Sequence, residues 1–147
     1  MKRDATPERQ SRRETVLLYA FFGLILARTI PAVLMGPRFL FETASAYSVQ
    51  FEVGCAVVLA CAWLGAPRLS ATGARSFTEP VALSVGSFVA GAFAACWTNF
   101  FLVGGHLERN GLSDYILKPF FWFALYGIPA AFLIGVVLSW SLNRSGR

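Results

Sequence analysis

PFFWFALYGIPAAFLIGVVLSWSL, residues 119–142, is 24 residues long and carries no charged side chain. A helix rising 1.5 Å per residue needs about 20 predominantly apolar positions to cross a hydrocarbon core near 30 Å. A soluble helix shows water a polar face, whereas this stretch is apolar all round. Residues 119–142 therefore read as a membrane span, and the rest of the chain is read outward from them.

Composition agrees. Of 147 residues, 56% are hydrophobic, 14% are charged and 14 are Phe. A soluble domain of this size keeps roughly a third of its unfolded-chain surface wet, and a chain this apolar cannot cover that area with polar groups. Three more runs have the length to span, giving Thr15–Gly36, Tyr47–Gly65, Val81–Gly105 and Pro119–Leu142 in all. Between them lie Pro37–Ala46, Ala66–Pro80 and His106–Lys118, the second rich in Ser, Thr, Gly and Pro as a loop should be. Pro80 and Pro119 stand near the first turn of the helix that follows, where a missing N–H costs least.

The expected fold is an all-α integral membrane protein, a four-transmembrane-helix bundle with both termini cytoplasmic. Residues 1–14 form a basic tail, 15–142 a single transmembrane domain and 143–147 a short tail. Charge sets the orientation: the N-terminal tail, second loop and C-terminal tail hold nine Lys and Arg, while the other side holds three, Arg38, Arg109 and Lys118. Positive charge collects on the cytoplasmic side of membrane proteins. Trp63 and Trp140 then fall near the inner interface, and Trp97 and Trp122 toward the outer one, as aromatic belts require. The polar start of the chain and the length of its first apolar run do not fit a cleavable signal sequence. Ala-, Gly- and Arg-rich usage points to a bacterial inner membrane.

Helices in lipid associate through close contact at small residues. Ser87, Gly91, Ala95 and Asn99 recur at four-residue steps in the third span, and Gly127, Ala131, Gly135 and Ser139 do so in the fourth. Residues four apart share a helix face, so these two spans are expected to form a tight antiparallel pair.

Two charges fall inside spans. Arg28 lies in the first and Glu52 in the second, and a charge at mid-membrane costs roughly 2.5–3.5 kcal/mol on insertion scales. Helical rise puts both at similar depth beneath the outer surface, where an ion pair is the natural arrangement. Thr98, Asn99 and Tyr126 arrive at a comparable level, while Gln50 and His106 sit closer to outer water. Pro31 and Pro129 each free a carbonyl in the preceding turn. The expected binding constellation is Arg28, Glu52, Thr98, Asn99 and Tyr126, either as a structural clasp or as a site for a ligand, ion or proton.

Other chemistries lack their residues. Cys55, Cys61 and Cys96 form no C-x-x-C pair and all lie within spans, which reads as packing rather than thiol exchange. A single histidine, His106, cannot provide bis-histidine haem ligation, and zinc-ligand spacing is missing. No phosphate loop or nucleophile elbow appears. No cofactor, metal or nucleic-acid partner is expected. The partners expected are the lipid bilayer and either further copies of the chain or a larger membrane protein. A non-enzymatic accessory or assembly component leads. A proton- or ion-coupled carrier using Glu52 and Arg28, or an enzyme acting on a lipophilic substrate, stands as the alternative.

Overall fold

The computed structural model describes residues 7–35, 48–71, 77–104 and 109–145, without the side chains of residues 7–12, 27–28, 30–35, 70–71 and 145. Among them the chain forms four long helices: α1 (Pro7–Met35), α2 (Ser48–Ala71), α3 (Thr78–Leu102) and α4 (Lys118–Ser145). A π-helical turn, Ser113–Leu117, leads directly into α4. Three segments are long and apolar enough to cross a membrane: Ser48–Leu69, Thr78–Leu102 and Ser113–Arg144. Large apolar side chains such as Leu64, Phe121, Leu133 and Trp140 stand on the outside of the bundle. A lipid-facing surface has that character.

The helices close into a ring, α3 packing on α2 and α4, and α1 packing on the same two from the other side. Val16 of α1, Ala62, Ala66 and Leu69 of α2, and Leu138 and Leu142 of α4 form one buried cluster. The start of α1 and the end of α4 therefore lie at the same end of the bundle. At the opposite end Cys96 and Phe100 pack with Ile116 of the π turn.

The small-residue ridges are present, but they do not face each other. A Cβ on Gly91 would press on Val58 and lie 2.7 Å from the Gly54 carbonyl oxygen, so the third span's ridge packs on α2. A Cβ on Gly135 would lie 2.6 Å from Val81 Cα and 3.2 Å from Ser84 Cβ, and one on Gly127 would strike the Phe88 ring. The α4 ridge thus meets the neighbouring row of α3, Pro80, Ser84 and Phe88. A helix carries several parallel rows at four-residue spacing, and α3 presents one to each neighbour. Both contacts are antiparallel: Gly65 lies against Leu83 and Gly54 against Gly91 on one side, Gly135 against Val81 and Gly127 against Phe88 on the other.

Helix ends differ from the sequence expectation by a few residues. α1 starts at Pro7, well before Thr15, and α2 continues through Pro67 to Ala71, beyond Gly65. The third connection is shortened by the π turn. Pro80 and Pro119 do occupy the first turns of α3 and α4.

Candidate functional site

Gln50 and Asn99 make a direct polar contact between side chains of α2 and α3. Gln50 Nε2 donates to Asn99 Oδ1 at 3.2 Å, and Gln50 is only 8% exposed. Asn99 also accepts the Val103 N–H at its backbone carbonyl, 3.0 Å away, closing the end of α3. Gln50 stands at the head of the inward row Gln50, Gly54, Val58, Ala62 and Ala66, all buried. Sequence reading placed it nearer outer water. The same four-residue spacing that revealed the α3 ridge would have found this row.

The five predicted binding residues part company. Two positions along a helix are about 200° around it at 3.6 residues per turn, so turning Gln50 inward turns Glu52 outward. Glu52 is exposed on the outer face of α2 and makes no ion pair among the described residues. The Arg28 backbone lies in α1, but its side chain, like that of Pro31, is outside the described residues, as is His106. The proposed Arg28–Glu52 pair therefore has one described member. Thr98 Oγ1 donates to the Ala94 carbonyl of its own helix at 2.9 Å. Tyr126 is exposed and stacks on Trp122, with ring centroids 6.1 Å apart and planes 10° from parallel. Asn99 alone of the five takes part in an inter-helix hydrogen bond among the described side chains.

A second polar level lies closer to the chain termini. Ser84 Oγ donates to the Ala131 carbonyl at 2.7 Å and ties α3 to α4. Beside it a cavity of about 60 Å³ opens on the bundle axis, with Tyr19, Gly23, Ala62, Ser84, Ser87 and Ala131 among its walls. Ser84 and Ser87 were not singled out as site residues from sequence, because serine in a membrane helix is unremarkable until its neighbours are known.

The two ends of the bundle differ in their aromatic dressing. At the termini end the Arg13 guanidinium sits 5.4 Å over the Trp63 ring and that of Arg144 5.3 Å over Trp140. At the other end Phe93, Trp97, Phe100, Phe101 and Phe120 form an edge-to-face and stacked cluster. Lys118 and Asp114 pair at 2.6 Å on the exposed surface there. Tryptophan with a guanidinium at one end and ring clusters at the other fit the two membrane–water interfaces. Comparison with family models, curated proteins and solved structures yields no match.

Proposed function

We propose that the chain is a four-span membrane protein of a bacterial inner membrane, with both termini cytoplasmic, acting as an accessory or assembly subunit through contact with another membrane helix. Glu52 carries this reading. It is exposed on the outer face of α2, beside the exposed Val49 and Phe51. A carboxylate against lipid costs up to roughly 2.5–3.5 kcal/mol at mid-membrane and less toward the interface, and Glu52 stands in the second turn of α2. A donor or cation on a partner helix, in a second copy or in a larger protein, removes that cost. Glu52 is not among the residues that line the axial cavity, so a carrier titrating at Glu52 has less support.

Size analysis in mild detergent tests the proposal. The expected particle has a protein mass well above the 16.1 kDa of one chain, and Glu52→Leu reduces it to a monomer without loss of helical content. A wild-type protein that is already a monodisperse monomer with no partner sinks the reading.

A further inference from the structure

Ser87 is 5% exposed, and its hydroxyl is the one fully buried side-chain polar atom among the described residues without a hydrogen-bond partner. It lines the axial cavity, which takes in residues of all four helices. We propose that this cavity is a hydration site, with Ser87 anchoring the water it holds. At about 60 Å³, the space exceeds the roughly 10–15 Å³ that a single water needs.

The contrast with other hydroxyls in the same bundle carries the argument. Thr98 returns its proton to the Ala94 carbonyl, Thr29 does the same to Ile25 at 2.7 Å, and Ser84 reaches Ala131. Those hydroxyls are satisfied within protein, as hydroxyls in membrane helices usually are. The Ser87 hydroxyl has neither bond, so its donor and both its lone pairs remain for something in the cavity. A buried water requires two to four polar partners. Ser84 keeps its acceptor lone pairs after donating to Ala131, and Tyr19 of α1 is also among the lining residues. Small side chains border the space: Ala20, Ala62, Ala130 and Ala131 are among its lining residues. An apolar cavity of this size stays dry. One with a free hydroxyl, and that of Ser84 beside it, does not.

Alanine-methyl NMR on deuterated protein in micelles reads the water directly. Ala62 and Ala131 are 3% and 5% exposed, so any water seen at their methyls comes from inside the bundle. The expected result is a cross-peak to water at both, and none at Ala56, which faces outward. A second arm measures unfolding of Ser87→Ala. If water holds the hydroxyl, the unfolding midpoint stays the same or falls. If the hydroxyl is an orphan in a dry space, its removal raises the midpoint. Missing cross-peaks at Ala62 and Ala131, or a raised midpoint, overturns the proposal. Ser87→Ala removes a single oxygen and is expected to fold, and Ser87→Val, which fills the cavity, is expected to abolish the cross-peaks; cross-peaks that persist unchanged in a folded Ser87→Val protein also overturn it.

Discussion

Asn99 sits in the last turn of α3, and its side-chain oxygen has one partner, the amide of Gln50. Removing Gln50 leaves that oxygen without its partner at a half-buried position, and an unmade hydrogen bond costs about 1–3 kcal/mol when the group is fully buried. Gln50→Leu is therefore expected to destabilise by about 1 kcal/mol, while adding Asn99→Leu costs little further. A double-mutant cycle on reversible unfolding in mixed micelles checks this, with a coupling of about 0.6 kcal/mol as the typical value for such bonds in membranes. Zero coupling would show that the pair does no work. Asn99 was legible in the sequence because an amide in an apolar run is costly anywhere. Its partner was not, because charge drew the reading to Glu52. Cost per residue ranks Glu52 above Gln50, but the face of α2 that touches α3 decides which of them is buried.

At the level of elements, glycine shows which rows are contact rows. Gly91 and Gly86 belong to the same helix, yet a Cβ on Gly91 would lie 2.7 Å from the Gly54 carbonyl oxygen and one on Gly86 meets nothing within 4 Å. Backbone cannot retreat as a flexible side chain does, and overpacking of this kind costs about 1–3 kcal/mol. Gly91→Ala is expected to lower the unfolding midpoint by that equivalent, and Gly86→Ala to leave it unchanged or raise it slightly, since alanine is the better helix former. Equal effects at the two positions would count against the α2–α3 contact described here. The small-residue rows were readable from spacing alone. Their partners were not, since a row at four-residue steps fixes a face of one helix and says nothing about which neighbour will stand there.

Across the whole molecule the charges divide by end. By sequence position the termini end carries nine basic and four acidic residues, and the other end, counting Arg28 and Glu52, four of each. With the four crossings proposed above, the whole formal net charge of +5 falls by sequence position on the end where α1 begins and α4 finishes. On α4, Trp122 and Trp140 are 18 residues apart, roughly 27 Å of helix, close to the hydrocarbon thickness between two aromatic belts. Length and composition made the membrane helices legible, because hydrocarbon forces every backbone group into a helix. Orientation follows from the charges rather than from the packing, which is indifferent to which end faces the cytoplasm. Positive charge resists translocation, so the end carrying +5 is expected inside. A fluorescent protein that folds only in the cytoplasm should shine when fused after Arg147. Alkaline phosphatase, active only outside, should be active when joined within residues 37–46 and inactive at Arg147. Phosphatase activity at Arg147 would reverse the orientation, and activity at neither site would mean that residues 37–46 do not lie across the membrane from the C-terminus.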